Sequence, residues 1–384
     1  MAPTDITAGI VGVGFIGVAH AEALRRIGAR VGGVVGSSLE RTRAKAAQAG
    51  LPCVHDDYEA MLADPAIDVV HVASPNNVHA EQVLAALEAG KHVVCEKPLG
   101  LSSEETERLR LAAERSGRVN AVCLNVRFYP LCHQMRAMVA AGEIGAPRLI
   151  TGTYLQDWML QPTDWNWRID PAEGGPLRAV ADIGSHWLDL AQFVSGRRVT
   201  EVMADLHTFL PVRLRPTRSV ETFAAASADD ELVEEPIASD DAATILLRFD
   251  DGARGALTVS QVSAGRKNSI NIEVDGEQSA VSWFSEDPDR MWVGHRGKAN
   301  EIIHRDASML APAAAALAVY PGGHVEGYPD TFRGLFGAVY ADIERGAPSP
   351  APAYPTFADG HDVVAVTEAV AASAQEQRWT AVKR

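Results

Sequence analysis

The sequence predicts an α/β protein: a parallel α/β domain over residues 1–125, then an α+β domain over 126–384 built on a mostly antiparallel open sheet. Three observations carry that expectation. From Ile6 to Asn125, short β-branched runs alternate with helical stretches of Ala, Leu, Glu and Arg, the rhythm of successive βαβ units. Beyond Ala141 the strands lengthen, and Asp250-Asp251-Gly252 and Asp275-Gly276 stand between several of them as hairpin turns. The 384 residues also suffice for two cores at ~150 residues per domain.

Strands are expected at 8–13, 30–35, 68–74, 92–96 and 118–125. The intervening helices are expected to start at the Ser37/Glu40 and Ser102/Glu105 pairs, where a hydroxyl can cap the first turn, and to stop at Gly28, Gly50, Gly90 and Gly117. A helix over 129–141 leads into long strands at 147–157, 243–250, 255–263, 269–274 and 279–284. The Ala-rich, acidic stretch 221–241 reads as a solvated loop and 311–323 as another. A last helix, 357–377, is amphipathic and is expected to pack back on the first domain. No internal repeat is evident.

Composition excludes several classes of function. Lys and Arg number 35 against 50 Asp and Glu, and the net charge of −15 repels nucleic-acid phosphates and anionic lipid. Neither nucleic acid nor membrane is an expected partner. The N-terminus has no basic leader and no apolar run reaches ~20 residues, so the mature protein is expected to begin near Met1. Cys53, Cys95, Cys123 and Cys132 form no C-x-x-C, which points to neither a disulfide framework nor zinc and fits a reducing cytoplasm.

Gly12-Val13-Gly14-Phe15-Ile16-Gly17 follows an expected strand and opens an expected helix. In that setting Gly12 makes the tight turn, Gly14 lets the backbone approach a pyrophosphate, and Gly17 lets the helix lie close on the strand; Phe15 and Ile16 sit at the helix N-terminus. This is the fingerprint of a Rossmann dinucleotide-binding domain; the alternative is a Gly-rich turn with no ligand. An NAD site usually carries an acid at the end of the second strand, but here that place reads Val35-Gly36-Ser37-Ser38. The cofactor is therefore expected to be NAD(P), with NADP favoured, and Ser37, Ser38, Arg41 and Arg43 are available for a 2′-phosphate. The alternative is that Ser37 caps a helix and both arginines face solvent.

Ala73-Ser74-Pro75-Asn76-Asn77-Val78-His79 and Ala89-Gly90-Lys91-His92-Val93-Val94-Cys95-Glu96-Lys97-Pro98-Leu99 resemble the glucose-fructose oxidoreductase/inositol dehydrogenase/MocA (Gfo/Idh/MocA) family, as do the Gly fingerprint and Asp182-Ile183-Gly184-Ser185-His186. The resemblance is strong over the first half and carried by scattered motifs in the second. It implies a two-domain oxidoreductase that transfers a hydride between NAD(P) and a carbinol carbon of a sugar, anhydrosugar or polyol, and a homodimer or homotetramer. It further implies cofactor contact by Ser74, Pro75, Asn76, Asn77, His79, Glu96 and Lys97, with helix capping the alternative for Asn77.

Lys97 falls at the end of an expected parallel strand, the rim where open α/β sheets bind ligands, and Pro98 restricts its backbone. Asp182 and His186 are four apart ahead of a helical pattern, which puts them on one face. A structural cap-and-imidazole pair is the alternative, and a zinc reading of Asp182, His186 and Asp189 lacks a cysteine or second histidine nearby. The catalytic set is read as Lys97, Asp182 and His186: His186 the general base, Lys97 stabilising the developing alkoxide, Asp182 orienting substrate hydroxyls and the imidazole, with Lys97 and His186 open to exchange. Trp167 and Arg168, in Asp164-Trp165-Asn166-Trp167-Arg168, resemble a family segment closing over the nicotinamide, Arg168 also reaching substrate. Core tryptophans and an Arg168–Asp170 pair are the alternative. Asn125, Arg127 and Tyr129 at the domain junction, Gln156 at a strand end and His324 in a Gly-rich segment complete the substrate candidates, alongside plain loop or sheet roles. No metal is expected. Competing functions are a non-catalytic NAD(P)-binding sensor and an enzyme that uses a tightly held nucleotide transiently.

Overall fold

In the computed structural model of the chain, the first alternation of strand and helix folds into a parallel sheet of β1 (Thr7–Val11), β2 (Arg30–Val35), β3 (Val69–Val72), β4 (His92–Cys95) and β5 (Asn120–Val122), in the order β2-β1-β3-β4-β5. The structure describes residues 5–51, 53–218 and 230–384. Met1 and residues 221–229 of the acidic stretch lie outside them.

β1, β3 and β4 are buried along their whole length, which explains their largely apolar sequences: a parallel sheet is covered on both faces. Val54 bridges parallel to Val34 outside β2, a one-residue remnant of a further edge strand. Chain order reverses between β1 and β3, leaving a crevice beyond the strand C-termini. Ser102 caps the helix Ser103–Ser116, its Oγ accepting from Glu105 N at 3.2 Å, and Glu105 Oε2 accepts from Leu101 N at 2.8 Å. At the second helix the cap is Ser38, one residue later than the expected Ser37.

The chain divides into two units, one of Met1–Asn125, Ala172–Gly174 and Pro329–Val364, the other of Val126–Pro171, Gly175–Tyr328 and Ala365–Arg384. Residues 329–364, which the sequence reading assigns to the second half, thus belong with the first sheet. Phe332, Phe336 and Tyr340 of the helix Tyr328–Arg345 pack there against His20 and His71. Phe357 and Val363, from the start of the helix Phe357–Glu376, join the core that holds Leu99 and Val122.

In the second unit β6 (Pro147–Leu155), β7 (Val199–His207), β8 (Val212–Pro216), β9 (Leu232–Pro236), β10 (Ala242–Phe249), β11 (Arg254–Ser260), β12 (Ser269–Gly276), β13 (Ser279–Phe284), β14 (Arg290–His295), β15 (Glu301–His304) and β16 (Thr380–Ala381) form two sheets. Nine strands run β15-β14-β13-β12-β6-β11-β10-β7-β16, and β8 pairs with β9. All neighbours are antiparallel except β6 and β11. Ala243, Ile245, Leu247 and Phe249 of β10 join the core with Met135, Trp187, Leu190 and Val370 from the helices, whereas Thr244 and Leu246 point outward and are exposed. Gly152 is dictated by close approach: a Cβ there would overlap Asn271 O and crowd Trp187 Nε1, which donates to Asn271 O at 2.8 Å. The short helix Pro312–Ala315 interrupts the expected loop 311–323.

The expected solvated loop is corrected over its described part. β9 occupies Leu232–Pro236, and Asp240 and Asp241 are buried. The cause is two fully buried arginines, Arg178 and Arg213, whose Nη2 groups both donate to Asp241 Oδ1, Arg213 at 2.8 Å. Asp240 accepts from the backbone N–H of Arg178 and Val180 at 2.7 and 2.8 Å, while burial pushes its carboxyl up to about 6. Cys53 is exposed, the other three cysteines are buried, and none is in a disulfide. Among the described residues, no helix is long and apolar enough to cross a membrane.

Removing the shared anion leaves two buried guanidinium groups uncompensated. Asp241→Ala is expected to destabilise the fold by about 3–5 kcal/mol, read as a lower urea midpoint; a midpoint unchanged from wild type would contradict this account of the cluster.

Candidate active site

Four strands of the first sheet end at one edge, and the residues that follow them gather there. Gly12 follows β1 at φ +98°, where a Cβ would overlap Ala73 O after β3; its N–H donates to Val35 O at 2.8 Å. Gly17 meets the Gly12 carbonyl closely, so the helix Phe15–Arg26 lies tight on the turn. A Cβ on Gly14 would meet nothing within 4 Å. That helix starts with no side-chain cap and no acid in its first turn, so its own side chains do not offset the positive potential of its N-terminus. These features fit a pyrophosphate. Phe15 is 56% exposed beside them, and Ile16 is half-buried.

No carboxylate lies among Val35-Gly36-Ser37-Ser38 after β2. Ser37 and Arg41 are exposed; Ser38 Oγ accepts from Arg41 N at 3.5 Å, and Arg43 lies 3.8 Å from Asp56 in an exposed pair. Past β3, Ser74 Oγ donates to Gln82 Oε1 at 2.6 Å, Pro75 is exposed, and Asn76 Nδ2 donates to Gly174 O at 3.4 Å. Asn77 is exposed and does not cap the helix His79–Glu88, which has no side-chain cap. His79 is buried with its ring nitrogens 2.8 Å from Pro98 O and 3.0 Å from Ser74 O. It therefore ties the loop after β3 to the loop after β4.

Lys97 follows β4 half-buried, its peptide to Pro98 cis, and its N–H donates to Glu96 Oε2 at 3.2 Å. Glu96 is buried, with Oε1 3.0 Å from His20 Nε2. Asn125 is also buried, its Nδ2 donating to Thr331 Oγ1 at 2.7 Å.

In the second unit Asp182 and His186 stand on a wide π turn, Val180–Gly184, and on the helix Ser185–Ser195 that continues it. Asp182 is not the helix cap. Its Oδ1 accepts from Arg168 Nε at 3.1 Å and its Oδ2 from Gln261 Nε2 at 2.8 Å. Arg168 thus pairs with Asp182 and not Asp170; its guanidinium lies 4.4 Å over the Trp167 ring, and Nη1 donates to Asn166 Oδ1 at 3.1 Å. Trp165 packs on Met159, Ile169 and Ile237. His186 is buried with its ring 6.4 Å from that of Tyr154.

Tyr154 Oη and Gln156 Nε2 both donate to Asn268 Oδ1, at 2.7 and 2.9 Å, and Trp158 Nε1 donates to Gln156 Oε1 at 2.7 Å. Burial and the nearby Asp182 carboxylate push the Tyr154 phenol up, keeping it protonated. Arg127 makes a bidentate pair with buried Asp189. Tyr129 stacks 4.9 Å from Trp283, and His324 is exposed on a loop whose carbonyl accepts from Arg305. The sequence reading missed Gln261, which reaches Asp182, and Tyr154 with its partner Asn268; strand alternation was visible, not which side chains would meet.

Residues 6–123 match the family description "Oxidoreductase family, NAD-binding Rossmann fold", and 132–282 match "GFO/IDH/MocA C-terminal domain". Levoglucosan dehydrogenase of Pseudarthrobacter phenanthrenivorans is 29% identical, over 98% of each chain. A solved levoglucosan dehydrogenase in complex with NADH and L-sorbose superposes with TM-score 0.88 at 26% identity over 99% of each chain. The oxidoreductase domain protein of Kribbella flavida does so with TM-score 0.88 at 31% identity, over 99% of this chain and 100% of that one. With both halves matched and that likeness running end to end, the chain belongs to the Gfo/Idh/MocA family of oxidoreductases and carries its NAD-binding Rossmann domain.

Proposed function

We propose that the protein is an NAD(P)-dependent dehydrogenase that moves a hydride between the nicotinamide and a carbinol carbon of a sugar, anhydrosugar or polyol. The observation that carries this reading is Asp182, held by Arg168 and Gln261 on the turn that leads into His186. The levoglucosan dehydrogenase solved with NADH and L-sorbose supports the substrate class. Residues 1–125 hold the nucleotide, with 329–364 completing that unit, and most of 126–384 supplies the substrate-binding and oligomerisation surfaces.

The nicotinamide, when bound, supplies the hydride acceptor. His186 takes the carbinol proton as the C–H bond breaks and the carbonyl forms; Lys97 hydrogen-bonds the same oxygen and stabilises its developing charge. Asp182 accepts from substrate hydroxyls and keeps the imidazole oriented, and Arg168, fixed between Asp182 and the Trp167 face, has its remaining donors for substrate or cofactor. The sequence Gly36-Ser37-Ser38, with Arg41 exposed beside it, supports a preference for NADP. The three buried cysteines, none in a disulfide, support a cytoplasmic setting.

With purified protein and a panel of monosaccharides, anhydrosugars and inositols, nicotinamide reduction followed by absorbance is expected for some panel member. His186→Ala should lower kcat by roughly 10²–10⁴-fold with the fold intact; near-wild-type turnover would refute the role. Ser37→Asp should weaken NADP+ binding about tenfold while sparing NAD+, and equal effects on both would reject the proposed 2′-phosphate contact. The outward face of the nine-stranded sheet carries exposed Leu149 and Leu246. Light scattering is expected to report a homodimer or homotetramer, and a monomer mass would reject self-association.

A further inference from the structure

Polar side chains inside the first unit form one continuous chain. Tyr340 Oη lies 3.0 Å from His71 Nε2, His71 Nδ1 lies 3.1 Å from His20 Nδ1, and His20 Nε2 lies 3.0 Å from Glu96 Oε1. His20 and His71 are fully buried, Tyr340 is 1% exposed and Glu96 8%. Glu96 directly precedes Lys97.

The protons in this chain can be placed. Two Nδ1 atoms facing each other need one proton between them. An ionised carboxylate only accepts, so His20 presents Nε2–H to Glu96. If His20 is neutral, its Nδ1 accepts from His71 Nδ1–H, and His71 Nε2 accepts from the Tyr340 hydroxyl. If His20 is protonated, its Nδ1–H donates to His71, and His71 donates to Tyr340. The arrangements differ by one proton, and the His20–His71 and His71–Tyr340 hydrogen bonds run in opposite directions in the two. In both, His20 Nε2–H donates to Glu96.

The titratable groups packed around Glu96 and His20 come from several elements. From β3, burial holds His71 neutral; from the helix 328–345, burial and Asp68 keep the Tyr340 hydroxyl protonated. Past β5, burial and Glu96 keep Cys123 a thiol that hydrogen-bonds the carboxylate, and Cys95 on β4 stays a thiol for the same reasons. His79, buried on the helix that follows β3, is driven toward its neutral form, leaving Lys97 as the adjoining cation.

We propose that His20 is a positioning residue for the reaction: backed by His71 and Tyr340, it holds Glu96 ionised and in one rotamer, and Glu96 in turn orients Lys97 through the Lys97 N–H and its negative charge. The same three atoms, His20 Nε2, Glu96 Oε1 and Cys123 Sγ, lie within 4.8 Å of one another and have the types of a metal site. Binding a metal would require losing both the His20 Nε2 proton and the Cys123 thiol proton that the hydrogen-bonded arrangement uses.

The inference rests on Lys97 serving the proposed dehydrogenase, so its test has one arm that needs no activity. Nitrogen NMR of the histidine rings in the wild-type protein should show His20 protonated at Nε2; an unprotonated Nε2 overturns the proposal, as does one equivalent of zinc by metal analysis. In turnover, His20→Leu should move the acid limb of the kcat–pH profile upward by about one to two pH units, because Glu96 has lost its charge-assisted donor and takes up a proton sooner. His20→Gln, whose amide can donate in place of Nε2–H, should restore the wild-type limb. Equal losses in both variants with an unshifted profile would make His20 merely structural and overturn the proposal. If His20→Leu does not fold, the NMR arm and His20→Gln still decide it. A wild-type protein with no dehydrogenase activity but with the expected tautomer would count against the proposed function and not against the hydrogen-bonded chain.

Discussion

A parallel sheet must be covered on both faces, and that constraint organises the first unit. Side chains along β1, β3 and β4 cannot be polar without a partner, so most are Val, Ile, Ala or Gly. Polar function is displaced to the loops beyond the strand C-termini, where Gly12, Ser37, Ser74 and Lys97 collect. His71 departs from this inside β3, and it survives because a hydrogen-bonding partner meets each ring nitrogen.

In the second unit the controlling interactions are charged. Arg178, Arg213 and Asp241 are fully buried together, and Asp240 takes the backbone N–H groups of Arg178 and Val180. Those hydrogen bonds fix the start of the π turn. A π turn holds more residues than an α turn, and here the widened turn carries Asp182 toward Arg168 and Gln261. The candidate site is thus anchored from behind by an ion cluster that contributes no chemistry itself.

What could be read in the sequence follows the range of the forces involved. The glycine fingerprint, the Ser102/Glu105 cap and the strands of the first sheet are local in origin and were legible to within a few residues. Asp182 and His186 were legible as a pair, but the π turn beneath them was not, since it depends on Asp240 about sixty positions away. β7 was missed because Thr200, Glu201 and Asp205 interrupt its apolar alternation, and the acidic stretch was misread because composition does not reveal that Arg178 and Arg213 wait for Asp241. The resemblance to the family identified the chemistry that spacing alone left open. The ring of His79 meanwhile joins the two loops around the site, a link that local sequence does not reveal.

The first unit is discontinuous in sequence, and that has a consequence for synthesis. A ribosome delivers β1 to β5 early, yet Phe332, Phe336, Tyr340, Phe357 and Val363, which close their core, emerge more than two hundred residues later. During that interval the nascent chain presents an apolar face with its own cover still untranslated. Truncation before residue 329 would leave the same surface exposed permanently, so residues 329–364 act on the nucleotide-binding sheet as a closing cover supplied late in translation.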